Sequence, residues 1–222
     1  MAGGSIERPD KIIPGTAQWQ RWAIEGIRKI LKNNQFKGKN ATVALPANEV
    51  YLESIKKPAN NQNLEKIINS KIKKKLPFSA DDAIIKYIPT EGDRLLVIAT
   101  EKEKINRHLA IYEKANLKVD SIDIWPVAMA CSYASFFGRR KSDLDATVML
   151  LDIEKSYSNV VICRHKNLVH AKSFPFGADQ LENEEAAEKI LVELQNIKSQ
   201  FDSSHFKTKL QRLIFLSGQI LP

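Results

Sequence analysis

The chain has 222 residues, of which 43% are hydrophobic and 27% charged, a composition typical of a globular protein that buries a substantial core. No run of about twenty apolar residues is present, so a membrane-spanning helix is not expected. The formal net charge of +8 would suit nucleic acid or anionic lipid. Only Phe78 lies close to the densest lysine run, at 71–75, whereas single-stranded nucleic acid needs interleaved aromatic side chains. A specific nucleic-acid site is therefore not expected.

The first 16 residues carry no targeting signal and are predicted to form a flexible leader. Thr16 offers an N-cap for the helix that follows. Up to residue 124, apolar spacing and turn residues predict helix 17–32, strands 41–45 and 50–55, helix 64–76, strands 83–88 and 95–100, helix 102–115 and strand 119–124.

Pro126 can open a further helix, which the apolar residues extend to 137. The polar stretch 138–142 is the best candidate for a domain boundary. Beyond it we predict strands 146–151, 159–164 and 168–174, helix 184–201 and strand 213–216. This mixture of elements places the fold in the α/β to α+β class. Cys131 and Cys163 lie in apolar runs, where cysteine is usually buried, and neither has metal-ligand spacing.

The most informative stretch runs from Leu150 to Ile162 and continues to Ser173-Phe-Pro-Phe-Gly177. A buried strand ends in Asp152, a polar turn follows, and a second strand returns as a hairpin. A turn of this kind can present backbone N–H groups and hydroxyls to a phosphate.

This stretch resembles the second phosphate loop of the PilM family, whose relatives include FtsA and the cytoplasmic part of GspL. Further similar segments are Val43-Ala-Leu-Pro46, Lys75-Leu-Pro-Phe78 and Leu117-Lys-Val-Asp-Ser-Ile-Asp123. The resemblance extends over residues 20–218 and implies an actin-like (ribonuclease H-like) body with an inserted small α/β subdomain. On this basis, 17–40 is a helix of the body, 41–124 the inserted subdomain, and 125–222 the rest of the body.

The resemblance implies a relic phosphate loop at Asp152, Ser156 and Ser158 and a relic adenosine turn at Ser217 and Gly218. Glutamate stands at position 154, where the family has a glycine, and brings bulk and negative charge to the phosphate position. Nothing before residue 17 resembles the family's first phosphate hairpin, and 177–184 is too short for the adenine-covering subdomain. We therefore expect a reduced or truncated relative without cofactor, metal or ATP hydrolysis.

The function implied by the resemblance is that of a non-catalytic cytoplasmic scaffold, peripheral to the inner membrane, in a type IV pilus or type II secretion-like machine. Its partner would be the N-terminal tail of a PilN-like inner-membrane protein, held between the inserted subdomain and the body; self-association is left open. Strand placement suggests partner contacts at Ile84, Ile85, Tyr87 and Val97. The predicted contacts with an anionic membrane surface are Lys71, Lys73, Lys74 and Lys75.

Two alternatives remain open. One is an actin-like ATPase or sugar-kinase relative that lacks part of its nucleotide lobe, which magnesium-ATP binding would reveal. The other is a basic nucleic-acid-binding module, which a steep salt dependence of binding would reveal.

Overall fold

The computed structural model describes residues 3–33, 36–58, 63–137, 140–164, 167–181, 183–204 and 209–216. Helices and strands alternate through these ranges. The helices are α1 Ala17–Asn33, α2 Leu64–Lys73, α3 Lys102–Lys114, α4 Trp125–Phe137, α5 Lys141–Asp145 and α6 Glu184–Ser204. The strands are β1 Asn40–Leu45, β2 Tyr51–Lys56, β3 Ala83–Pro89, β4 Arg94–Glu101, β5 Lys118–Ile124, β6 Val148–Ile153, β7 Ser158–Arg164, β8 Asn167–Phe174 and β9 Arg212–Leu216.

The strands form three sheets. β1 and β5 pair in parallel, although the whole of β2 to α3 lies between them in the chain. The second sheet is antiparallel, in the order β2-β4-β3. The third has the order β8-β7-β6-β9, in which β9 runs parallel to the central strand β6 and the other pairs are antiparallel.

Helices α1 and α3 pack together beside the two-stranded sheet. Thr16 caps α1 as predicted, because its Oγ1 accepts a hydrogen bond from the Trp19 N–H at 3.2 Å. Arg28 of α1 donates a hydrogen bond to the carbonyl oxygen of Lys114 at the end of α3. This second bond connects α1 to the C-terminal end of α3.

The antiparallel sheet β2-β4-β3 is covered on both faces. On one face, Ile68 and Ile72 of α2 pack against Leu95 and Val97 of β4. On the other face, Leu96 joins the main core of the molecule. Because three successive residues of β4 are all buried, this strand does not show the alternation of a sheet with one exposed face.

The four-stranded sheet separates two apolar layers. Val148 and Leu150 of β6 face α4, whereas Met149 and Leu151 face the other side, where Ile197 and further apolar residues of α6 cover them. The α4 side is part of a core that also contains Leu96 of the antiparallel sheet. One apolar core therefore joins the second and third sheets.

Several predictions need correction at this level. Ile12, in the predicted leader, is buried at 7% exposure, and Asp10 forms a 2.8 Å ion pair with Lys155, so this part of the leader packs on the body. Cys163 is buried as expected, but Cys131 is exposed. The reason is that α4 is apolar on almost every side, so its sequence does not indicate which face is covered.

The remaining boundaries are close to the predicted ones. α2 ends at Lys73, three residues before the predicted end, and α5 occupies part of the predicted boundary 138–142. Gly138 and Arg139 lie outside the described residues. The division of the chain at 17–40, 41–124 and 125–222 stays a prediction. Within the ranges that the structure describes, no helix is long and apolar enough to cross a membrane.

Candidate functional site

The predicted phosphate loop is the turn 154–157 between β6 and β7. Asp152 and Asn159 lie opposite each other on these two strands, and the Asn159 Nδ2 donates to the Asp152 Oδ2 at 3.0 Å. Burial raises the pKa of Asp152, although the bond from Asn159 acts in the opposite direction. Burial, together with the negative charge of Asp152, also raises the pKa of Glu154. Two half-buried carboxyl groups thus lie at this end of the hairpin, Asp152 on β6 and Glu154 in the turn.

The structure does not bring the three predicted phosphate contacts together. Ser158 is buried and donates its hydroxyl to the Phe176 carbonyl oxygen at 2.6 Å. Asp152 pairs with Asn159, and Ser158 pairs with the next residue of β6, Ile153. Because successive side chains of a strand point to opposite faces, the Ser158 side chain lies on the sheet face opposite to that of Asp152. Only Ser156, in the turn itself, is exposed. Ser217 and Gly218, the predicted adenosine turn, lie outside the described residues.

Gly177 closes the turn from the other side. Its neighbour Ala178 donates a backbone hydrogen bond to the Glu154 carbonyl oxygen at 2.8 Å, and a second such bond runs one residue further along. A Cβ at Gly177 would lie 2.5 Å from the Tyr157 backbone nitrogen and closer still to the Glu154 oxygen. Only glycine fits here, for reasons of space and not of backbone angle. No local sequence pattern indicates this close approach.

The electrostatics of the turn disfavour a polyanion. Lys155, the cation of the turn, donates a hydrogen bond to the Asp10 carboxylate. This bond raises the pKa of Lys155 and lowers the pKa of Asp10. The carboxyl groups of Asp152 and Glu154 add negative charge at the turn and at the strand before it. Among the described residues, no three His, Cys, Asp or Glu side chains form a cluster able to hold a metal ion.

A cleft separates the edges of two sheets. Among the described residues, β2 pairs only with β4, and β8 pairs only with β7, so β2 and β8 are both edge strands. These two edge strands lie next to each other. A mainly apolar pocket of about 400 Å³ lies at one end of the cleft and a more polar pocket of about 310 Å³ at the other. Both are lined by Leu52 and Lys172; the apolar end adds Val50, Tyr157, Ser173 and Phe174, and the polar end Ser54, Arg94 and Gln200.

The predicted partner contacts lie elsewhere. Val97 is fully buried at 0% exposure, and Ile85 and Tyr87 pack with it in the cluster under α2. Val97 is therefore not available to a partner in this conformation, whereas Ile85 and Tyr87 are half-buried and their contact with a partner stays a prediction. Ile84 is half-buried on the opposite sheet face. The cleft between β2 and β8, which lies between the predicted ranges 41–124 and 125–222, is the better candidate for a groove.

The predicted lysine cluster is at the surface. Lys71, Lys73 and Lys74 are exposed. Lys75 forms a 2.6 Å ion pair with Glu53 of β2, so part of its charge is already compensated within the protein. The exposed part of the cluster therefore consists of the first three lysines.

A buried polar cluster was not anticipated. The Glu49 carboxylate, at the turn before β2, accepts hydrogen bonds from Arg107 at 3.1 Å and from His108 at 2.9 Å. Trp19 contacts both α3 residues, with its ring 5.9 Å from the His108 ring and from the Arg107 guanidinium. The one available signal was that His108 shares helical spacing with Ile111. This cluster connects α1, α3 and the start of the antiparallel sheet.

These sheets, with their covering helices, define a mixed α/β protein of the actin-like class, as predicted. A family model described as the type IV pilus assembly protein PilM matches residues 8–193, and the chain belongs to this family. No curated protein sequence is significantly similar to the chain.

Solved structures share the fold. The chain is similar to a structure of the PilM-PilN type IV pilus biogenesis complex, with a TM-score of 0.67 and 17% identity over 96% of this chain and 72% of that one. It is also similar to the cytoplasmic domain of EpsL, an inner-membrane component of the type II secretion system of Vibrio cholerae. There the TM-score is 0.54 and the identity 13%, over 90% and 68% of the two chains. At these identities the likeness establishes the fold.

Proposed function

We propose that the protein is a non-catalytic cytoplasmic scaffold of a type IV pilus or type II secretion-like machine. In this proposal it binds the cytoplasmic N-terminal tail of a PilN-like inner-membrane protein. The observation that carries the proposal is the cleft between β2 and β8, which offers two strand edges and two pockets. Membership of the PilM family and the likeness to a PilM-PilN complex support the choice of partner.

The cleft suits an extended peptide. A tail lying along β2 or β8 would gain main-chain hydrogen bonds from the free strand edge, and its alternate side chains would point into pockets. The apolar pocket beside Val50 and Phe174 would take an aliphatic or aromatic side chain. The polar end, with Ser54 and Gln200, would hydrogen-bond to a polar residue further along the tail.

Three features support the absence of catalysis. Glu154 stands where a phosphate would approach, the Ser158 hydroxyl donates its hydrogen bond to Phe176 within the protein, and Gly177 packs against the turn.

Three exposed lysines, Lys71, Lys73 and Lys74, would attract the protein to an anionic inner-membrane surface, while binding of the tail would supply specificity.

A peptide titration tests the proposal. The probe is the synthetic cytoplasmic tail of the PilN-like protein from the same organism, measured by calorimetry against the full chain. Ser173→Tyr places a ring in the apolar pocket and should weaken binding at least about tenfold, since it excludes one anchoring side chain. Leu191→Tyr, at an exposed site on α6, is the matched control and should bind like wild type. Wild-type affinity in the Ser173→Tyr variant would contradict the assignment of the cleft.

The ATPase alternative is tested in the same samples. Millimolar magnesium-ATP should leave the melting temperature unchanged, because the turn offers carboxylates to a polyanion. A saturable stabilisation that disappears in Asp152→Ala would overturn the non-catalytic proposal.

A further inference from the structure

The polar end of the cleft carries an arginine that no carboxylate neutralises. Arg94, the first residue of β4, lines this pocket of about 310 Å³ together with Ser54 and Gln200. Its guanidinium donates from Nε to the Ser54 hydroxyl oxygen at 3.0 Å and from Nη2 to the Ser54 carbonyl oxygen at 3.2 Å. Both acceptors are neutral. Among the described residues no Asp or Glu, the adjacent Asp93 included, forms an ion pair with Arg94.

Two further charged side chains line the same pocket, and both are compensated within the protein. The Glu53 carboxylate accepts hydrogen bonds from Lys75 at 2.6 Å and from Tyr51 at 3.0 Å. Lys172 donates to the Glu193 carboxylate at 2.5 Å. These two ion pairs add no net charge, so the positive charge of Arg94 is in excess at this end of the cleft.

A second cation lies beside Arg94. Lys56 is directly opposite Arg94 in the antiparallel register of β2 and β4, so the two side chains leave the same sheet face as neighbours. Lys56 is exposed, and it has no ion pair within the part of the chain that the structure describes. Like charges directly opposite each other are unfavourable, and an anion beside them relieves their repulsion. This end of the cleft therefore favours an anionic group.

The Arg94 guanidinium is held ready for such a group. Ser54 occupies two of its five N–H groups, and the others remain for a ligand. A guanidinium matches the planar geometry of a carboxylate, and one that is already fixed loses less freedom when it binds. In a peptide, the side chains of aspartate and glutamate carry this anionic group.

The spacing along β2 relates this group to the apolar pocket. Val50 lines the apolar pocket and Ser54 the polar one, and their four-residue separation places both side chains on the same face of the extended chain. At about 3.3 Å per residue they are about 13 Å apart along the strand. A tail that pairs with β2 has the same repeat, so the two tail residues that reach the two pockets are also four residues apart.

We propose that the cleft selects a tail with an aspartate or glutamate four residues from an apolar anchor, whose carboxylate binds the Arg94 guanidinium. This inference rests on the proposed binding of the tail in the cleft. It adds the chemistry that distinguishes one tail from another, and it assigns Arg94 as the residue that determines this specificity.

Two peptides test the proposal on the full chain. One is the synthetic cytoplasmic tail of the PilN-like protein from the same organism, and the other is the same tail with that acidic residue changed to its amide. In calorimetry the amide peptide should bind wild type at least about tenfold more weakly, as expected for loss of a charge-assisted hydrogen bond. Arg94→Gln should bind the two peptides with equal affinity, because the coupled charge is absent.

Two further variants are controls. Arg21→Gln, at an exposed position on α1, removes the same charge away from the cleft and should keep the wild-type preference. Arg94→Lys keeps a cation without the fork and should keep part of the preference, which separates the effect of charge from a folding defect.

Three results would overturn the inference: equal binding of both peptides to wild type, an undiminished preference in Arg94→Gln, or a tail without an acidic residue at this spacing. If Ser173→Tyr still weakens tail binding in any of these cases, the proposed function stands and only the role of Arg94 is lost. A tail that does not bind wild type at all would overturn both.

Discussion

Among the glycines for which the structure gives neighbours, Gly177 has the least space for a side chain. Its backbone lies against the turn 154–157, so a methyl group would collide with main-chain atoms that cannot rotate away. Gly177→Ala should therefore lower the free energy of unfolding by about 1 to 3 kcal/mol, the usual range for overpacking. Urea unfolding followed by circular dichroism would measure the change.

Gly3→Ala is the matched control, because no atom lies within 4 Å of the new methyl group. It should change stability by less than about 0.5 kcal/mol. Equal stability of the two variants would mean that the segment after β8 does not lie against the turn as described.

The buried Glu49 carboxyl group should make the free energy of unfolding depend on pH. Burial would raise the pKa of this carboxyl group, but the bonds and charges of His108 and Arg107 outweigh it, and the pKa is lowered. A lowered pKa means that the ionised group stabilises the fold above its ordinary pKa. This stabilisation is lost as the pH falls through the lowered value.

The variant Glu49→Gln should accordingly lose about 2 to 4 kcal/mol at pH 7, because it leaves Arg107 and His108 without their anion. The difference from wild type should shrink as the pH falls, since wild-type Glu49 is then protonated as well. Urea unfolding from pH 7 to pH 3 would follow both curves. Glu185→Gln removes an exposed pair with Lys189 that solvent screens, so its difference from wild type should stay small at every pH. A pH-independent difference at Glu49 would contradict the ionic account.

At the scale of the elements, the C-terminal end of α2 and its C-cap residue Lys74 carry three exposed lysines that could attract anionic lipid. Changing Lys71, Lys73 and Lys74 to glutamate should weaken co-sedimentation with anionic liposomes, by roughly 1 kcal/mol for each lysine held near the surface. Binding of the partner-tail peptide should stay nearly intact, since the cleft is lined by other residues.

The control for this experiment changes Lys29, Lys32 and Lys37, three exposed lysines outside α2, to glutamate. Both variants carry the same net charge, so an equal loss of liposome binding would assign the effect to total charge. Unchanged sedimentation of the α2 variant would show that its lysines are solvent-exposed residues at a helix end and do not contribute to lipid binding.

Most elements were predictable from the sequence, because apolar spacing and proline or glycine positions mark helix and strand ends locally. The Pro126 helix and the hairpin after Asp152 are examples. The parallel pairing of β1 with β5 was not predictable from periodicity, since it joins strands far apart in the chain. Val97 was predicted to contact a partner, but it is buried, for a related reason. The alternation of a strand assigns side chains to two faces, but it does not show that both faces of β4 are covered.

The candidate site was predictable in part. Two features could be identified from the sequence alone: Asp152 near the end of β6, and the glutamate at position 154, where the family has a glycine. That Ser158 points to the opposite face follows from the register of β6 and β7. The closure by Gly177 and the free edges of β2 and β8 depend on contacts between segments distant in sequence, which a single sequence does not encode in any local pattern.

At the scale of the whole molecule, the core shared by the second and third sheets predicts cooperative unfolding. Leu96 belongs to the antiparallel sheet but packs with Leu150 and Val161 of the four-stranded sheet. Leu96→Ala should lower stability by about 2 to 5 kcal/mol while leaving a single transition. Tryptophan fluorescence and circular dichroism should give the same midpoint, because Trp125 lies in this core.

Leu191→Ala, at an exposed position on α6, is the matched control and should change stability by less than about 0.5 kcal/mol. Two separate transitions in the Leu96→Ala variant would indicate that the antiparallel sheet unfolds independently of the rest.

The two cysteines give the protein a ready-made labelling position. Burial raises the pKa of the Cys163 thiol to about 11, so this group stays protonated and sheltered near neutral pH. Cys131 is exposed on α4, the helix that, with β6 and β9, lines a mainly apolar pocket of about 420 Å³. A maleimide dye should therefore attach to Cys131 alone in the folded wild-type chain. Its emission would report on ligands that enter beside α4 without any engineered cysteine.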